Sequence, residues 1–112
     1  MAASSNSIFI LTVIAAAALA VNRAVSVAGT VPAAGATCLG LTQTSGAIGD
    51  AVPVNALGTA VGEAGAAITA GAALELDAVG RVIPRTTGVT IGRALTAAAA
   101  AGDQVEVFLI PN

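Results

Sequence analysis

The chain has 112 residues, a net charge of −2 and only 9% charged residues, against roughly 25% in ordinary soluble domains. Its four cations are the scattered arginines Arg23, Arg81, Arg85 and Arg93, and it contains no histidine and no lysine. These counts argue against nucleic-acid binding, which needs a basic patch, against histidine-based catalysis or metal ligation, and against a lysine-acylated carrier domain; the length argues for one domain over 1–112.

From Met1 to Asn22 no side chain is charged. The apolar run Ile8 to Val21, with Thr12 inside it, is shorter than the ~20 residues a spanning helix needs. A signal segment fits the length, with Ala18-Leu19-Ala20 as a cleavage site, but the cation that normally precedes the apolar region is missing. Ile8 to Ile14 is rich in β-branched and aromatic residues and favours strand. Ala15 to Ala20 favours helix. The reading adopted is a strand, or an arm, within residues 1–14, followed by a short helical or turning connection into Asn22.

Arg23 to Val27 alternates as a short strand and turns at Ala28-Gly29. Val31-Pro32-Ala33-Ala34-Gly35 is punctuated as a loop. Ala36 to Thr42 reads as a strand, and Cys38 within it as a buried small hydrophobe; alone in the chain, it has no disulfide partner. Turns follow at Thr44-Ser45-Gly46 and Gly49-Asp50. Ala51 to Thr59 reads as a strand, with Pro53 placing it at an edge or a bulge because proline cannot donate to a central ladder. Ala60 to Ala67 reads as a separate short strand and turn. Ala72 to Asp77, the hairpin turn Ala78-Val79-Gly80 and the return Arg81 to Pro84 come next. After Thr86-Thr87-Gly88 turns the chain, Val89 to Leu95 forms a strand. Thr96 to Ala101 is a connecting loop or a single helical turn. Gly102-Asp103 launches a last strand whose apolar residues alternate through Ile110.

A repeat runs through this order. Leu39-Gly40 precedes Gly49-Asp50 and the strand Val52-Pro53-Val54. Ile91-Gly92 precedes Gly102-Asp103 and the strand Val105-Glu106-Val107. Two such halves predict a mainly β fold, a small β-barrel or sandwich with short turns and at most one short helical connection. Closure would remove exposed edges, an advantage where charges are scarce. The composition is 56% hydrophobic with only two aromatic residues, Phe9 and Phe108. Alanine, which makes up much of this apolar fraction, fills little volume, so such a chain must be tightly wound or borrow core from neighbouring chains.

No catalytic constellation emerges. Asp50 and Asp103 follow turn glycines and stabilise those turns. Glu75 and Asp77 share one strand face and read as a solvated outer surface, as does Glu106 on the last strand. Gly62-Glu63-Ala64-Gly65 lacks the spacing and the lysine of a phosphate loop.

The ordered blocks resemble a known family. They run from Asn22-Arg23-Ala24-Val25 through Cys38-Leu39-Gly40-Leu41-Thr42 and Gly49-Asp50-Ala51-Val52-Pro53-Val54 to Leu57-Gly58-Thr59-Ala60 and Glu63-Ala64-Gly65-Ala66-Ala67-Ile68. They continue with Asp77-Ala78-Val79-Gly80-Arg81, Ala101-Gly102-Asp103 and Val105-Glu106-Val107-Phe108-Leu109-Ile110-Pro111. Together they are similar to the small Ala/Gly-rich capsid decoration (cement) proteins of tailed bacteriophages. The resemblance implies a virion protein on the outer surface of the capsid, commonly a homotrimer. Its partner is the major capsid protein, whose neighbouring subunits it bridges. It implies no reaction, no cofactor, no metal, no small-molecule substrate, no nucleic acid and no membrane. The candidate contacts are Ile8, Phe9, Ile10 and Leu11, with the loops carrying Val31 and Pro32 and carrying Thr86 and Thr87; a plain core strand is the competing reading of Ile8 to Leu11. The competing function is a secreted or membrane-tethered small β-protein whose first segment is a signal.

Overall fold

A computed structural model describes residues 3–112; Met1 and Ala2 lie outside the described residues. Among the described residues eight antiparallel strands form one sheet: β1 (Ser7–Ile14), β2 (Ala24–Val25), β3 (Gly40–Thr42), β4 (Ala51–Glu63), β5 (Ala73–Leu76), β6 (Val82–Pro84), β7 (Gly92–Ala94) and β8 (Gln104–Leu109). The order across the sheet is β2-β3-β4-β8-β7-β5-β6, with β1 attached to β4 beside this path. The ends of the path curl together. Val82 on β6 bridges Ala64 at the end of β4, and the Ala24 N–H on β2 donates to the Gly80 carbonyl in the β5–β6 turn at 2.8 Å. The result is a nearly closed barrel. Among the described residues there is no helix, and none is therefore long and apolar enough to cross a membrane.

The organising strand is β4, 13 residues long. Sequence reading divides it at Thr59, with Ala60 to Ala67, which holds Gly62 and Gly65, as a separate short strand and turn; the structure runs the strand on to Glu63. Within it Gly58 adopts φ +91°, and a Cβ there would collide with the Asn6 carbonyl oxygen. The register of β1 against β4 slips on both sides of Phe9 opposite this glycine. A bulge of this kind bends a strand without ending it. The first part of β4 can therefore pair with β1 and β3 while the second pairs with β8. Pro53 lies in this interior strand, not at an edge. It sits opposite Gln43, one residue past the end of β3, and its carbonyl still accepts the Gln43 N–H at 3.0 Å. The missing proline N–H therefore costs one ladder bond at the fringe of a pairing.

The repeat seen in the sequence is a repeat of backbone plan. The second part of β4 corresponds to β1, β5 to β2, β7 to β3, and β8 to the first part of β4. Ala15 N–H donates to Asp50 and Ala64 N–H to Asp103; Leu19 and Gly46 exchange two bonds, as do Ile68 and Ala98. Leu39 N–H donates to Val25 and Ile91 N–H to Leu74. Val13 pairs with Val52 as Gly62 does with Val105. Both turn aspartates act as expected: Asp50 accepts the Ala47 N–H at 2.9 Å, and Asp103 accepts those of Ala99 and Ala100 at 3.0 and 3.2 Å.

The copies diverge in one hairpin. The turn Ser26–Thr30 has the same backbone bonds as Asp77–Arg81, but Glu75-Leu76 precedes the second turn and has no counterpart between Val25 and Ser26. The second hairpin is therefore longer and forms β6, whereas Val31 to Ala33 remains a loop. Packing follows. The larger core cluster holds Ile68, Leu74, Leu76, Val82, Ile91, Val105, Val107 and Leu109, joined by Ala24, Cys38 and Leu41 from the first half. The smaller holds Val13, Ala15, Leu19, Val25, Val52 and Val54, with Leu39 only partly buried against it.

Several strands are shorter than their sequence suggests: Ala36 to Cys38 and Val89 to Ile91 are extended approaches outside the ladder. Ala15 to Ala20 turns without helix, since its amides are claimed by Asp50, Gly29 and Gly46. Tertiary hydrogen bonds override alanine's helix preference here.

Candidate functional site

Strand β1 carries the apolar N-terminal segment into the sheet and splits it between two faces, as the period of a strand requires. Val13 is in the smaller core, Leu11 is half-buried and Phe9 is 50% exposed. On the opposite face Ile8 is 81%, Ile10 49% and Ile14 61% exposed. Among the described residues β1 is hydrogen-bonded to β4 alone, so its other edge is free. Natural edges are usually blunted by charge, proline or short length. This one has eight residues, no charge and no proline.

Beside β1 runs an apolar groove of about 320 Å³, lined by Phe9, Leu11, Val27, Cys38, Leu39, Ala56, Leu57, Pro111 and Asn112. The chain's last residue holds one wall: the Asn112 side-chain carbonyl accepts the Cys38 N–H at 2.8 Å. Burial pushes the Cys38 thiol up to about 11, so it is protonated at neutral pH and unreactive.

The two candidate loops come together over β5, while β1 lies on β4. The Val89 N–H donates to the Gly35 carbonyl at 3.0 Å, and the Gly35 N–H to the Leu76 carbonyl at 2.9 Å. Thr86 and Thr87 are exposed and Val31 sits at the surface, whereas Pro32 is buried and offers no contact area. The organiser of this region is Glu75, which is not solvated: it is 5% exposed and accepts the Thr86 N–H and, at 2.8 Å, the Thr86 hydroxyl. These bonds, the backbone one first, hold its carboxyl below the usual range. Glu106 is likewise buried, covered by the N-terminal segment, with Ser4 donating its N–H and hydroxyl at 3.3 and 3.2 Å. Both glutamates have the outward phase expected of them, but a loop and a strap lie over that phase.

The arginines are all engaged with their own chain. Arg23 pairs with Glu63 at 3.1 Å and Arg81 with Asp77 at 2.9 Å. Arg85 donates to the Gly88 carbonyl and Arg93 to the Gly71 carbonyl. Among the described residues no cluster of acids and cysteine could hold a metal ion. The prominent features are therefore apolar surface and an unpaired strand edge.

Residues 4–109 match the family described as Phage cement protein. The chain belongs to that family. It is a capsid-associated structural protein of a phage. Comparison with curated proteins finds no match. Among solved structures, the fold is similar to the head fiber gp8.5 N base of bacteriophage phi29, with a TM-score of 0.76, 20% identity, and coverage of 91% of this chain and 93% of that one.

Sequence reading reached β1 and both loops but not Val27, Leu39, Ala56, Leu57 or Pro111 in the groove. The repeat held a usable signal: Leu39 and Ala56 stand where Ile91 and Leu109 stand in the other half.

Proposed function

We propose that this cement protein binds the outer surface of the phage head as a homotrimer, bridges neighbouring major capsid subunits and so stiffens the shell, catalysing no reaction and using no cofactor. The observation that carries this reading is β1, an uncharged strand with a free edge and an outward row of Ile8, Ile10 and Ile14. Burying each such side chain contributes roughly 1.5–3 kcal/mol, and an open edge can accept a partner's strand. Ile8 to Leu11 is the principal contact, with Val31, Thr86 and Thr87 on a second surface. Membership of the cement family supports the capsid as partner. The competing reading, a signal segment on a secreted or tethered protein, is disfavoured because Val13, Ala15 and Leu19 from that segment supply half of the smaller core.

The test adds purified protein to heads lacking it. Saturable binding, a raised temperature of head rupture and a trimeric mass by light scattering are expected. Indifference of the heads at micromolar protein would sink the proposal.

A further inference from the structure

The internal repeat identifies what the groove beside β1 lacks. Its walls Leu11, Leu39 and Ala56 correspond to Ala60, Ile91 and Leu109 in the second half. There all three are buried, at 0%, 0% and 4% exposure. They belong to a cluster that includes Ala24 and Leu41, apolar side chains donated by β2 and β3 of the first half. Among the described residues, no corresponding side chains are donated to the first half. Leu11, Leu39 and Ala56 are accordingly only partly buried, and the space between them stands open as the groove.

A second copy of this chain cannot repeat the missing packing. The counterpart of Leu41 in the second half is Arg93, which is exposed and donates to the Gly71 carbonyl at 2.8 Å. Leu41 and Ala24 themselves are fully committed to their own core. A second copy's β5 and β7 therefore do not supply this packing, and the cement reading above points to the capsid subunit as the source of the occupant. The groove has no charged lining residue, so a charged side chain entering it would be desolvated without a partner.

We propose that the groove between Phe9, Leu11, Leu39 and Leu57 seats an uncharged, leucine-sized side chain of the major capsid protein. That segment completes the first half's core as β2 and β3 complete the second's. The inference rests on the cement reading above and locates its anchoring pocket.

The experiment measures affinity for heads lacking the protein, using three variants of the full chain. Ala56→Leu copies Leu109 and fills the groove with the chain's own side chain. It should melt at or above the wild-type temperature yet bind heads at least tenfold more weakly. Phe9→Lys, at a half-exposed position, should keep its melting temperature within a few degrees and also lose at least tenfold. Ile48→Lys, on the exposed Ala47–Asp50 turn, should change binding less than twofold. Wild-type affinity in both groove variants overturns the pocket while leaving the cement reading intact; failure of the wild type to bind overturns that reading itself. A groove variant that changes the oligomeric mass of the free protein, with head affinity falling only in step, shows a second copy in the groove and also overturns the proposal.

Discussion

Leu39 and Ile91 occupy the same place in two copies of one backbone plan, each donating its N–H to the strand before it. Ile91 is enclosed by the larger cluster, while Leu39 is left half-open against six small or medium side chains. Much of the connecting hydrogen bonding is shared: the bonds of Leu39 and Ile91, of Leu19 and Ile68 and of the two turn aspartates all recur. The difference lies in volume and in order along the chain. The second half has the extra pair Glu75-Leu76, the strand β6 that this pair makes room for, and a first half to lean on. A shared backbone plan thus gives unequal cores, because burial of apolar volume contributes more to stability than each backbone pairing does. The less filled half carries the free edge and the groove, the surfaces proposed to meet the capsid.

The largest expected break in this comparison is truncation of the matched pair. Ile91→Ala should cost ~2–5 kcal/mol, the range for emptying a closed core site. Leu39→Ala should cost about half as much, since its site already opens to solvent; urea unfolding of both variants measures the difference. Equal losses would mean that the two cores are equivalent. Next comes Gly58→Ala at the joint between the halves, where positive φ and the nearby Asn6 carbonyl imply a loss of ~1–3 kcal/mol. Hydrogen exchange should show it concentrated in β1 and the middle of β4.

Turn capping should be nearly symmetric, and this sharpens the comparison. Asp50→Ala and Asp103→Ala each remove charge-assisted bonds at exposed turns, worth about 1 kcal/mol. Asp103→Ala should cost slightly more because it leaves two N–H groups uncapped. The smallest effects are in pH dependence and belong to the longer hairpin and to Cys38. The lowered Glu75 carboxyl stabilises the fold above the ordinary carboxylate range, and this contribution is lost as pH falls through its folded value. Glu75→Gln should flatten that acid limb. For Cys38 the sign reverses: the folded thiol keeps its proton to about 11 while the unfolded one releases it near 9.0. Its contribution therefore declines across that interval, and Cys38→Ala should remove the decline.

Much of the fold was legible from local patterns. β-Branched and aromatic content marked Ile8 to Ile14 as strand, and period-two alternation marked Leu74 to Leu76 and Val105 to Leu109. The Gly-Asp turns were read with their capping role, and the repeat foretold the paired halves. Pro53, Glu75 and Glu106 were misread for a common reason: each was judged from its own strand, while its environment is set by a neighbour distant in sequence. Gln43 accommodates Pro53, Thr86 covers Glu75 and Ser4 covers Glu106. The groove escaped because its walls come from β1, β4, the Cys38 approach and the chain's end, which nothing in a one-dimensional pattern brings together.

By itself, then, the amino-acid sequence determined the class of fold, the turns and the absence of a charged or histidine-bearing site, since these follow from side-chain chemistry and period along the chain. Only the tertiary structure decided which apolar residues would be core and which would be left at the surface. That choice depends on how much volume the other half brings to each face, and the first half is left with Ile8, Ile10 and the groove uncovered.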